Sequence, residues 1–199
     1  LSAGHGFEEQ ERHMATVFGQ QAARAGVHRI VYLGGMVPDV PASKLSPHLR
    51  SRAEVGRTLR ASGVPTVELR AGVIIGSGSA SFEMLRYLTE RLPVMITPRW
   101  VSTRTQPIAV RDVLHYLIGA MEAPGEINRA FDIGGPDITT YAGMMHGFAS
   151  VAGLPRRVLF PVNLLSPGLS SHWVGLVTPV PSGIARPLVD SLKVEVVAR

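Results

Sequence analysis

Arg29-Ile30-Val31-Tyr32-Leu33-Gly34-Gly35 is a short apolar run without alternation, closed by two glycines. A strand with one face in water alternates apolar and polar residues, so this run suits a strand buried on both faces, as in a parallel sheet. The flanking sequence supports that reading. Before it, Phe7 to Ala25 carries Glu8, Glu9 and Glu11 early, Met14, Val17, Phe18 and Ala22 at helical spacing, and Gly26 just past its end. Those are the start, face and stop of one amphipathic helix. After it comes a Pro-rich loop, and then Ser46 and Pro47 read as N-cap and first helical residue of a helix that runs to about Ser62, before Gly63.

The pattern then repeats. A strand is expected from Thr66 to Arg70, followed by Val73-Ile74-Ile75 and the Gly76-Ser77-Gly78-Ser79 loop. A helix from Ser81 to Leu92, a strand at Val94 to Thr97, a strand-like Pro107 to Val110 and a helix from Arg111 to Met121 come next. A strand from Ala130 to Ile133 and a helix from Thr139 to Ala152 complete the series. Alternation of β and α segments at this pitch implies right-handed crossovers and a largely parallel sheet covered by helices. Beyond Gly153 the rhythm loosens, and Pro155, Pro161, Pro167, Pro179, Pro181 and Pro187 punctuate what should be short helices. Residues 1–153 therefore form the main unit, and 154–199 a smaller Pro-rich cap or lid.

Composition narrows the function classes. With 45% hydrophobic and 18% charged residues the chain is a folded globular one rather than a disordered one. Its longest apolar tract, Val158 to Val180, is broken by Pro161, Pro167 and Pro179 and carries Asn163 and His172, which argues against a transmembrane segment. The net charge of +5 would favour nucleic acid if the cations were clustered, but Lys44 and Lys193 are the only lysines and the arginines are scattered. A solvated basic surface follows, with no nucleic-acid partner. No cysteine is present, which excludes disulfide and thiolate chemistry and fits a cytoplasmic setting. None of the seven histidines pairs at metal-ligand spacing, so no metal site is expected.

The run Arg29 to Gly35, then His48-Leu-Arg-Ser-Arg52-Ala-Glu54, Leu69-Arg-Ala-Gly-Val-Ile-Ile-Gly76 and Gln106-Pro-Ile-Ala-Val-Arg-Asp-Val113, in this order, resembles the extended and atypical short-chain dehydrogenase/reductase superfamily, and within it the epimerase-like and NmrA-like members. The resemblance covers about Phe7 to Ala152, and it lies in the ordered set rather than in any one motif. It implies a three-layer, Rossmann-like, largely parallel α/β sheet that is incomplete here, with NAD or NADP as cofactor and a small molecule or nucleotide as partner. In that family a Gly-rich loop holds the cofactor's pyrophosphate, because glycine lets the backbone approach and a helix N-terminus favours an anion. No such loop opens this chain. The resemblance accordingly places Leu1 near the end of the family's fourth strand, with about 80 residues, the length of two to three βα units, expected before it. A sheet divided beside its central strands should expose an apolar edge, covered by that N-terminal segment or by a second copy in a homo-oligomer.

The resemblance also assigns roles. The family's Tyr-x-x-x-Lys pair falls on His48 and Arg52, so His48 becomes the candidate catalytic residue. Gly34, Gly35, Arg52, Ala71, Gly72, Val73 and Ile74 become candidates for cofactor binding, and Gly76, Ser77 and Gly78 for substrate binding. One helical turn separates His48 from Arg52, which puts both on one face, and histidine exchanges protons near neutral pH. Arginine is no lysine equivalent, so Arg52 is open to three readings: part of a catalytic pair, a nucleotide ligand, or a solvated helix face. The loop from Ala71 to Ser81 passes the nicotinamide and substrate or is a mobile surface loop. No hydroxyl stands at Gly34-Gly35, where the family keeps a catalytic serine or threonine. Tyr32 reads as core packing, Asp112 as a partner of its helix's positive end, and His115 and His146 as core histidines. Beside a nucleic-acid or membrane-surface binder, which rests on net charge alone, two functions remain. One is an NAD(P)-binding oxidoreductase or epimerase-like enzyme; the alternative is a non-catalytic NAD(P)-binding regulator or scaffold, like the NmrA-like regulators or the accessory subunit of respiratory complex I.

Overall fold

The computed structural model describes residues 6–41, 43, 45–162 and 194–198. In chain order these form α1 (Phe7–Arg24), β1 (Ile30–Gly35), α2 (Pro47–Arg60), β2 (Thr66–Ala71), β3 (Ile74–Ile75), α3 (Ala80–Arg91), β4 (Val94–Pro98), a 3-10 turn (Arg99–Ser102), β5 (Arg104–Thr105), β6 (Ile108–Ala109), α4 (Val110–Glu122), β7 (Arg129–Ile133), β8 (Thr139–Thr140), α5 (Tyr141–Val151) and β9 (Val158–Val162). No helix among the described residues is long and apolar enough to cross a membrane.

The glycines and caps act as their positions demand. Gly26 and Gly63, just past α1 and α2, take φ of 67° and 88°, the left-handed region that glycine enters without a Cβ penalty. Ser46 accepts a hydrogen bond from the Leu49 backbone N–H at 3.3 Å, and Pro47 follows at the first helical position.

At the centre β1, β2 and β7 pair in parallel, in the order β1-β2-β7, with Ile30 opposite Thr66 and Val67 opposite Arg129. Because side chains alternate across a strand, this register sorts the residues into two faces. Val31, Leu33, Val67, Leu69, Ala71, Phe131 and Ile133 point to one side and pack with Val113, Leu117 and Ala120 of α4. Ile30 and Tyr32 point to the other, against Ala15 and Ala22 of α1 and Val55 and Leu59 of α2. The result is the expected three-layer, largely parallel α/β arrangement. A third apolar cluster joins α3, α5 and β4 through Met84, Leu88, Met95, Trp100, Tyr141 and Met145.

The helical layer over β2 closes on a buried charge. Glu68 is 0% exposed, yet its carboxylate pairs with the guanidinium groups of Arg60 on α2 and Arg70 on β2, the latter at 2.9 Å. A carboxylate buried to this depth is tolerable only when so paired. Gly56 makes room for it, since a Cβ there would fall on that carboxylate. The helix that carries His48 and Arg52 is thereby seated directly on the sheet.

Three local expectations are corrected. Thr139 and Thr140 form a short strand antiparallel to β5 instead of opening the last helix, and Thr140 then caps α5 by accepting from the Gly143 N–H at 3.0 Å. Val158–Val162, where proline spacing predicts short helices, is a strand running parallel to β4 over all five residues. Its Val-Leu-Phe core favours strand, and Pro161 is tolerated because the two-stranded sheet leaves each strand an open edge. His115, expected in the core, is exposed on α4 beside exposed Leu114, Tyr116 and Ile118. This helix is apolar around most of its circumference, so apolar neighbours do not mark its buried face. His146 is half-buried on α5, Asp112 lies exposed in the first turn of α4, and Tyr32 packs against the α1–α2 cluster. Most of the proposed cap, residues 163–193, lies outside the described residues.

Candidate active site

In a parallel sheet the carboxyl ends of the strands are where a crevice opens. Here β1 ends at Gly35 and β2 at Ala71, and the Met36 N–H bonds the Ala71 carbonyl at 2.9 Å, so both exits are locked side by side. Beyond Gly72, the Val73 carbonyl accepts from the Ile108 N–H at 2.9 Å, which ties the strand's continuation to β6. Next to Thr105, the Gln106 side chain donates to the Gly135 carbonyl at 2.6 Å and accepts from the Ala198 N–H at 3.0 Å. These ties leave a cavity of about 100 Å³ lined by Gly35, Met36, His48, Leu49, Ala71, Gly72, Val73, Ser81, Thr105, Tyr141 and Val196.

The cavity brings together His48, Gly35, Ala71, Gly72 and Val73 from the residues singled out in the sequence. Gly34, Arg52, Ile74, Gly76, Ser77 and Gly78 are not among its walls. Gly34 lies one residue back along β1 on the face covered by α2, where a Cβ would stand 3.2 Å from a Glu68 carboxylate oxygen. Gly76 packs on Val110, and Ser77 and Gly78 are exposed. Arg52 shares a helix face with His48, but its guanidinium pairs with Glu11 of α1 at 3.1 Å, and the Ser51 hydroxyl donates to the same carboxylate.

Burial, with the Arg52 cation beside it, holds the His48 imidazole below its ordinary 6.5; Glu11 pulls the other way with less effect. His48 is therefore neutral at pH 7, one ring nitrogen free to accept a proton and the other carrying one.

The three hydroxyls in the cavity come from outside the motif set. Ser81 lies in the first turn of α3, Thr105 ends β5, and Tyr141 opens α5. The Tyr141 ring stands edge-on to Trp100, with ring centres 5.7 Å apart and planes at 86°. Burial raises the phenol's pKa, and the adjacent Thr105 hydroxyl lowers it by less. Thr105 is completely buried, and its hydroxyl makes no well-formed hydrogen bond among the described residues. The alternation that predicts elements carries no signal for such residues, because they meet only through the tertiary fold. With His48, they supply neutral donors and acceptors suited to an oxygen-bearing substrate, and no three His, Asp or Glu side chains among the described residues group as metal ligands.

No family model and no curated protein matches the sequence. Solved structures do match. The Citrobacter sp. triphenylmethane reductase, a structure also known complexed with NADP(H), superposes with a TM-score of 0.71 over 96% of this chain at 18% identity. The fold is the one these nucleotide-linked reductases and epimerases share. A nucleoside-diphosphate-sugar epimerase from Staphylococcus aureus matches 89% of the chain with a TM-score of 0.68 at 15% identity. The UDP-glucuronic acid 4-epimerase from Bacillus cereus, in complex with NAD, matches 91% with a TM-score of 0.59 at 12% identity. The chain spans 64% of the length of the triphenylmethane reductase and of the Bacillus epimerase, and 58% of the Staphylococcus one. These neighbours are of the reductase and epimerase kind that the ordered motifs resemble.

Proposed function

We propose that this chain forms the substrate-side part of an NAD(P)-dependent reductase or epimerase-like enzyme acting on a small molecule. The observation that carries the reading is the coincidence, at the carboxyl ends of two adjacent parallel strands, of a neutral histidine with the glycine-flanked strand exits Gly35 and Ala71-Gly72-Val73. The described residues fit the nicotinamide end of such a cofactor. Gly35 and Gly72 expose backbone, and Ala71 and Val73 give an apolar wall that excludes water. Bound there, the cofactor would supply hydride exchange. In alcohol oxidation His48 would take the hydroxyl proton at its free ring nitrogen, in reduction the protonated ring would return it to the carbonyl oxygen, and Tyr141 and Thr105 would orient that oxygen. The cofactor's pyrophosphate has no G-x-G-x-x-G cradle within the 199 residues.

The Glu11–Arg52 pair favours a second reading. An arginine already neutralised by its own neighbour is less available to a nucleotide, as a non-catalytic regulator or scaffold of the same fold would tolerate. Titration of the full natural protein with NADPH and NADH, followed by calorimetry, separates the readings when combined with turnover on a panel of carbonyl compounds. The enzyme reading expects saturable binding of one nucleotide and a turnover that His48→Gln lowers about 10²- to 10⁴-fold with binding intact. Binding without turnover selects the regulator, and no binding of either nucleotide defeats both.

A further inference from the structure

We infer that Thr105 and Tyr141 form a hydroxyl-pair subsite for an uncharged carbonyl or alcohol oxygen, and that the cavity they line selects compact neutral substrates over sugar nucleotides and carboxylates. The inference rests on the reading of this cavity as the reaction site, and adds to it the class of substrate.

Thr105 is the key observation. Its hydroxyl is buried against the Tyr141 phenol without a well-formed hydrogen bond, and proteins keep such under-satisfied groups where something else completes the bond. This one lines the cavity beside the Tyr141 phenol, itself only 6% exposed. Gly72 keeps the approach open: a Cβ there would lie 3.8 Å from the Thr105 hydroxyl and 3.2 Å from Val196. Two hydroxyls side by side offer two donors to one acceptor oxygen, or a donor and an acceptor to one alcohol. The charge balance of the walls sets the class. Among the described residues none of the lining side chains is Lys, Arg, Asp or Glu, and Arg52, the nearest cation on the same helix face as His48, is spent on Glu11. A diphosphate or carboxylate entering here would lose its water without gaining a counter-charge. The cavity's volume of about 100 Å³ likewise admits the reactive end of a compact molecule, not a nucleotide sugar.

The test uses the full natural protein with methyl-labelled valine, reading the Val73 methyl resonances while acetone, propan-2-ol, acetate or UDP-glucose is added, and NADPH in a parallel titration. Acetone and propan-2-ol are expected to shift Val73 saturably. Thr105→Val, which keeps the shape and removes the hydroxyl, and Tyr141→Phe should each weaken that binding about three- to tenfold, the size of one neutral hydrogen bond. Acetate should bind more weakly than acetone, and UDP-glucose should leave Val73 unmoved. The inference is overturned if acetone leaves Val73 unchanged, if both variants bind acetone like the wild type, or if acetate or UDP-glucose moves Val73 as strongly as acetone. A failed NADPH titration alongside intact acetone binding would defeat the cofactor reading and leave the subsite standing.

Discussion

His48 links the chemistry of the site to the stability of the fold. Its folded pKa lies below the ordinary 6.5 because burial and Arg52 both resist the charged form. As pH falls through 6.5 the unfolded chain takes up a proton that the folded chain refuses, so stability declines from there until the folded pKa is passed. Above pH 6.5 both states are neutral and the contribution is fully present. Urea unfolding at pH 7.5 and pH 5 should therefore show a larger loss for the wild type than for His48→Gln; equal losses would mean that the imidazole is not perturbed. The position of His48 was legible in the sequence, since the helical spacing to Arg52 and the Ser46-Pro47 start fix its face. The engagement of Arg52 by Glu11 was not, because it depends on how α1 crosses α2, a contact between helices with no local trace. Thr105 and Tyr141 were invisible for the same reason: each reads locally as strand or helix start, and only folding places them in one cavity.

Among the elements, α4 depends on a residue far from it in sequence. It has no basic side chain in its last turn, and its terminal carbonyls are gathered instead by Arg29, which precedes β1. The guanidinium donates to Ala120, Met121 and Ala123 at 3.0, 3.1 and 2.6 Å, and to the Gly125 carbonyl. This satisfies orphan carbonyls, sets a cation at the negative end of the helix dipole, and staples the helix across the sheet. Arg29→Met, which keeps the aliphatic stem, should cost about 1–2 kcal/mol in chemical denaturation; a change within about 0.3 kcal/mol, at the level of an ordinary surface substitution, would show that the cap carries no weight. Glycine stops and Ser/Pro starts announced α1 and α2 because caps are local chemistry. The short strands β8 and β9 escaped notice because their partners, β5 and β4, lie far away along the chain and long-range pairing overrides the proline signal.

At the scale of the whole molecule, β1 has a partner on one side only among the described residues, and apolar side chains gather on the helices of both layers. Met14, Val17 and Phe18 of α1 are 41–58% exposed, as are, to a similar degree, Leu114, Ile118 and Met121 of α4. An open parallel edge with apolar surroundings seeks a further strand or another chain. The isolated 199-residue chain should therefore run above its monomer mass in light scattering at micromolar concentration, and a clean monomer there would refute the idea. The parallel sheet and its layers were readable from the rhythm of the sequence, whereas the residues singled out as a site come together in one cavity only at the strand exits. The central claim is that the strand exits of β1 and β2 receive a nicotinamide nucleotide next to His48. Hydrogen exchange of the full natural protein with and without NADPH or NADH tests it: protection should rise at residues 34–36, 48–52 and 71–74, whereas unchanged exchange there, or protection confined to the cavity lined by His115, Tyr116, Phe131 and Ile133 of α4 and β7, would contradict it.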